Sequence, residues 1–161
     1  MSTAPAASFL SLHALQSADR NTLEQIYRTA TPVTWERAVW RGHFLCMTGS
    51  AGARNLALKW MSEIGFGKTP FWVDHERSLW CFGTPEIGVG RYAATPGLSR
   101  WRETQTVRLE YHVSKLPGLI RRELYDEVKP LSPDLCLGIG GINAERGRGD
   151  LFFFALTREP D

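Results

Sequence analysis

Apolar residues recur along this chain with two periods, and the switch between them predicts its elements. "SADRNTLEQIYRTA" sets Leu23, Ile26 and Tyr27 on one face of a helix, with Ser17 as the expected N-cap, Asp19 in the first turn and Pro32 ending it. "ARNLALKWMSEIGF" repeats the spacing with Leu56, Trp60 and Ile64, a second short helix expected to end at Gly65. Between them, Glu36 to Gly49 alternates as a strand does. Ala38, Trp40, Gly42, Phe44 and Cys46 are expected on one face, with Val39, Arg41, His43, Leu45 and Met47 on the other. Neither face is cleanly polar, which suits a sheet curled around a cavity with its back partly covered.

From Gly67 to Val113 the texture becomes that of a meander. Short runs ("TPFWVD", "SLWCFG", "GVGRYAA", "LSRWRET", "TVRLEYHV") are separated by bends at Asp74–Ser78, Gly83–Glu86, Thr95–Gly97 and Thr104–Thr106. "LPGLIRRELYDEV" admits two readings: Ile120, Leu124 and Val128 are helix-spaced, while "RELYDEV" alternates. "DLCLGIGGI" and "LFFFALTRE" are the last two strands, joined by "NAERGRGD" as an exposed hairpin turn. About eight strands with few short helices exclude a doubly wound α/β sheet. They predict one mainly β domain over residues 1–161, an antiparallel barrel with an N-terminal helix packed on it and a polar arm at residues 1–8. A barrel of about eight strands can enclose one small ligand.

The glycine cluster of "GIGGINAERG" invites a phosphate-binding reading, and context removes it. A dinucleotide fingerprint needs a third glycine, where Asn143 stands, and a helix after it, where "LFFFAL" is a strand. "GFGKT" lacks the spacing of a P-loop, and "TGSAG" lacks that of a nucleophile elbow. The glycines are expected to allow close approach or a bend at a barrel corner.

Composition narrows the functions further. With 43% hydrophobic and 22% charged residues the chain is globular, and a net charge of +2 does not favour nucleic acid as a partner. Cys46, Cys81 and Cys136 form no C-x-x-C pair, which predicts reduced thiols and a cytoplasmic location. No apolar run is long enough for a membrane span. His13, His43, His75 and His112 stand on separate segments without metal-ligand spacing, so neither metal nor cofactor is expected. Eighteen aromatic side chains, six of them Trp, fall largely in strands, the composition of a lined apolar pocket.

Candidate site residues follow from type and placement. Trp40, Phe44, Phe71, Trp80 and Trp101 are the expected aromatic lining, with Arg41, Lys68 or Arg121 as a polar anchor. His43, Tyr111, His112 and Tyr125 are the acid/base candidates. They come from a wider charged set that includes Glu110, Arg122, Glu123 and Asp126, a density also typical of a solvated rim.

"AVWRGHFLCMTG", a short helix and "IGFGKTPF" resemble the small bacterial domains named for a G-x-W-x-G motif, with Ala38 at the first glycine. "ELYDEVKPLSPDLCLGIGGI…DLFFFALTRE" is similar to the companion module that follows in that family. The resemblance covers about two thirds of the chain and implies a calycin-like barrel of the lipocalin or fatty-acid-binding type. The expected function is binding of a small, mostly apolar or aromatic molecule. The alternative is a cofactor-independent cyclase, isomerase or dehydratase of bacterial secondary metabolism, which requires at least two acid/base candidates in one cavity. A structural role, such as a homodimer through an exposed sheet edge, would instead go with a barrel interior filled solidly by side chains.

Overall fold

In the computed structural model, residues 10–48, 64–142 and 149–160 are described. Nine strands form one antiparallel sheet: β1 (Val39–Met47), β2 (Phe71–Asp74), β3 (Leu79–Phe82), β4 (Gly88–Arg91), β5 (Ala93–Leu98), β6 (Gln105–Glu110), β7 (Leu124–Ser132), β8 (Leu135–Ile142) and β9 (Asp150–Arg158). Their order is β4-β3-β2-β1-β9-β8-β7-β6-β5. The two edge strands are consecutive in the chain, with Tyr92 alone between them. One continuous stretch therefore pairs with β3 through its first half and with β6 through its second, and the sheet curls into a nearly closed barrel. The count is nine where about eight were expected: "GVGRYAA" is divided at Tyr92, "RELYDEV" leads into β7, and the expected run "LSRWRET" is a turn after Leu98 and not a strand.

Other boundaries also differ from expectation. The N-terminal helix is two helices, α1 (Leu12–Ser17) and α2 (Arg20–Thr29), capped by Ser11 and Asp19 rather than Ser17. Asp19 Oδ1 accepts from the Thr22 amide at 2.7 Å, satisfying a donor that the helix leaves free at its start. Residues 64–68 are helical (α3), so Gly65 lies within a helix and not beyond its end. Thr95–Gly97 is part of β5, paired with Val107, Thr106 and Arg108, and the bend falls instead at residues 99–104. "LPGLIRRELYDEV" is both things in turn: α4 (Gly118–Glu123) runs directly into β7. The expected arm at residues 1–8, the positions of Leu56 and Trp60, and most of "NAERGRGD" lie outside the described residues.

The alternation of β1 holds only as far as Phe44. A bulge between Phe44 and Cys46 shifts the register against β9, so Cys46 joins Leu45 on the outer face and Met47 turns inward. Two cores result. The barrel lumen is filled by Trp40, Phe71, Val73, Leu109, Val128, Phe154 and neighbours. The outer one lies under α1 and α2, whose Leu15, Leu23 and Tyr27 pack on Leu137, Ile139, Phe153 and Ala155. The glycines of β8 serve the lumen by close approach. A Cβ on Gly138 would stand 2.2 Å from Phe154 Cζ, and one on Gly140 2.4 Å from Phe152 Cζ, so each glycine leaves room for the ring paired opposite it on β9.

Candidate binding site

The lumen is not filled to both ends. At one end a cavity of about 250 Å³ remains, lined by Phe66, Trp80, Phe82, Leu116, Leu151 and Phe152, with Val89, Gly90, Gly141 and Ile142 completing it. Among the described lining residues two can ionise, Tyr111 and Asp126. Asp126 reaches it because β7 alternates: Leu124, Asp126 and Val128 face inward while Tyr125, Glu127 and Lys129 face the helices. Tyr111 follows the last residue of β6, whose Leu109 pairs with Asp126.

The Tyr111 hydroxyl donates to Asp126 Oδ2, and the Gly141 amide near the same carboxylate favours its ionised form. That amide sits at the bulge between Gly140 and Gly141. Glycine is needed at position 140 here too, because a Cβ would lie 2.9 Å from Asp126 Oδ1. Burial pushes the Asp126 carboxyl up to about 7, against the pull of Tyr111 and the Gly141 amide. Burial, then the Asp126 charge beside it, raises the Tyr111 hydroxyl well above its ordinary value, so it stays protonated and remains a donor. The Trp80 indole N–H is buried with no partner at hydrogen-bond geometry, near enough to the Tyr111 oxygen to favour its ionised form slightly. The pocket thus has apolar walls and a small polar pole at one side.

A second hollow of about 400 Å³ shares Tyr111 and Leu124 with this cavity and is otherwise lined by Glu110, His112, Arg121 and Arg122. It is a charged vestibule, in which Glu110 is held by Arg100 at 2.6 Å. At another place on the barrel a groove of about 660 Å³ runs past Trp35, His75, Tyr92 and Val107. His75 stacks on Trp35 with centroids 3.8 Å apart, and burial lowers its imidazole to about 4.

The candidates named from sequence separate on these surfaces. Trp80 and Tyr111 line the cavity, and Trp40, Phe44 and Phe71 pack in the lumen core beside it. Tyr111, His112 and Arg121 meet in the vestibule. Tyr125 and Trp101 belong to the outer core, in edge-to-face contact at 5.0 Å. His43 points outward, its Nε2 2.8 Å from Thr157 Oγ1, and burial lowers its imidazole. Arg41 stacks over Trp72 on the same outer face, and Lys68 is exposed on α3. Asp126 stood in the wider charged set without being singled out. Its direction depends on where α4 gives way to β7, and the sequence read equally well as helix or strand there.

No family model matches the chain, and no curated protein matches it. A solved structure of a protein from Thermomonospora curvata superposes with a TM-score of 0.51 at 20% identity, covering 89% of each chain. At that identity the likeness speaks for the fold alone. Among the described residues no helix is long and apolar enough to cross a membrane, and no three potential ligand side chains gather for a metal ion.

Proposed function

We propose that this protein is a calycin-type barrel that binds a small, mostly apolar molecule in the cavity between Trp80, Leu116 and Phe152. One observation carries the reading: beside the packed aromatic cluster of the lumen lies a space with apolar walls and a buried Tyr111–Asp126 pair. Transfer of apolar surface from water supplies the affinity, at about 25 cal/mol per Å², and the polar pole sets orientation. Titration calorimetry with naphthalene tests this. Saturable 1:1 binding is expected, weakened at least about tenfold by Leu116→Trp, which fills the cavity from its half-buried edge. Heat that never saturates, or binding indifferent to Leu116→Trp, contradicts it.

A second reading, a cofactor-independent isomerase or cyclase, is favoured by the value of about 7 at Asp126. A carboxylate matched to neutral pH beside an apolar pocket suits removal and return of a carbon-bound proton. Exchange of solvent deuterium into 2-tetralone, faster than buffer alone and abolished by Asp126→Asn, is the expected outcome. Exchange at the buffer rate sinks this reading and leaves the binding role standing.

A further inference from the structure

Resting on the cavity reading above, we infer that the ligand's polar group is a hydroxyl, on an alcohol or phenol, and not the carboxylate of a fatty acid. The pole offers a ligand only what its own hydrogen bonds leave over. The Tyr111 proton is committed to Asp126, so the tyrosine brings no free donor to a ligand. Asp126 accepts from Tyr111 with the Gly141 amide close by, and a carboxylate has lone-pair positions for more than two donors. The buried Trp80 N–H next to them has its proton unspent. Among the described residues no Arg, Lys or His lines the cavity; Arg121, Arg122 and His112 belong to the vestibule outside it.

Each class of polar head can be set against that inventory. A carboxylate would bring a second negative charge against Asp126 in a poorly solvated space, with no cation among the described lining residues to offset it. An ammonium would pair with Asp126 but has no lone pair for the Trp80 proton. A hydroxyl fits both: it donates to the Asp126 carboxylate, and a small rotation of the Trp80 ring, whose Nε1 presents no surface to the cavity as it stands, brings that N–H to its oxygen. Its apolar body then lies along Phe66, Phe82, Leu116 and Phe152.

Four probes of one shape test it by calorimetry at pH 8: 2-naphthol, naphthalene, 2-naphthoate and 2-naphthylmethylammonium. The expected order puts 2-naphthol first, about tenfold or more above naphthalene, the scale of one hydrogen bond to a charged group, with 2-naphthoate weakest. Trp80→Phe should weaken 2-naphthol by more than it changes naphthalene, so that the ratio of the two affinities falls. Asp126→Asn should reduce the preference for 2-naphthol and improve 2-naphthoate, because the repelling charge is gone. Equal affinity for 2-naphthol and naphthalene overturns the hydroxyl assignment while the apolar cavity stands. Tightest binding of 2-naphthoate or of the ammonium overturns it as well, in favour of the vestibule arginines or of a simple ion pair with Asp126. A 2-naphthol preference untouched by both variants does the same. If none of the four binds, the cavity reading itself falls.

Discussion

Asp126 and Glu127 are neighbours on β7, both buried carboxylates, and they face opposite sides of the barrel wall. Glu127 looks out under the N-terminal helices. Its Oε1 accepts from the Tyr125 hydroxyl and the Arg100 amide, each at 2.7 Å, and its Oε2 from the Tyr27 hydroxyl at 3.0 Å. Tyr27 comes from α2, so this carboxylate fastens a helix to the sheet. Next to it, Lys129 is also fully buried, donating to the Ala30 carbonyl and Thr104 Oγ1 and lying over the Tyr27 ring. Asp126 looks in, with the Tyr111 hydroxyl, the Gly141 amide and open space beside it. Burial of charge therefore does not mark a functional site by itself. A carboxylate enclosed by protein donors is a fastening, and one left beside a cavity can receive a ligand.

The largest expected effect comes from breaking the outward side. Glu127→Ala strands three buried donors and should cost about 3–5 kcal/mol of stability, measured by urea denaturation. In the fraction that remains folded, naphthalene affinity should be unchanged, since the cavity lies across the wall; a parallel loss of binding would mean the two faces are not independent.

Asp126→Asn should act in the opposite direction on stability. The folded carboxyl is raised from an ordinary 3.8 to about 7, so the folded state holds its proton more tightly than the unfolded chain. That contribution is complete at acid pH and is lost as pH rises from about 4 through 7. The wild type is thus penalised at pH 8 by its buried charge. Asp126→Asn should be more stable there by on the order of 2–3 kcal/mol, with the gap closing below pH 4. A gap independent of pH would contradict the assigned titration.

Gly138→Ala sharpens the comparison on the lumen side without touching a charge. Its new methyl meets the Phe154 ring and should cost about 1–3 kcal/mol, visible as a lowered midpoint in thermal denaturation. The smallest effect belongs to His112→Ala. This residue is exposed in the vestibule, so stability should move by less than about 0.5 kcal/mol and naphthalene affinity should not change.

Much of the wall was legible in the sequence. Period-two alternation marks most of the strands and puts Trp40 and Phe44 on one face of β1, the face that turns to the lumen, whereas Phe71 and Trp80 are picked out by residue type alone. The glycine cluster was correctly taken from phosphate chemistry to close approach, and Phe152 and Phe154 supply the bodies that approach. What was not legible depends on single-residue shifts of register. The bulge after Phe44 moves Cys46 and Met47 to opposite faces, and the end of α4 at Glu123 decides that Asp126 faces in while Tyr125 faces out. Neither event has a sequence signal strong enough to choose between neighbours of similar character. Tyr125 and His43 accordingly read as cavity candidates although each sits on the outer side of its strand, and Trp101 lies in the turn at residues 99–104, packed in the outer core.

The central claim is that the ligand enters the cavity at the Tyr111–Asp126 pole and not the groove beside Trp35 and His75. A crystal structure of the protein soaked with 6-bromo-2-naphthol, with the bromine located by its anomalous scattering, tests this most directly. The account predicts bromine between Leu116 and Phe152 and the hydroxyl against Asp126 and Trp80. Bromine in the Trp35–His75 groove, or an empty cavity at saturating ligand, would contradict it.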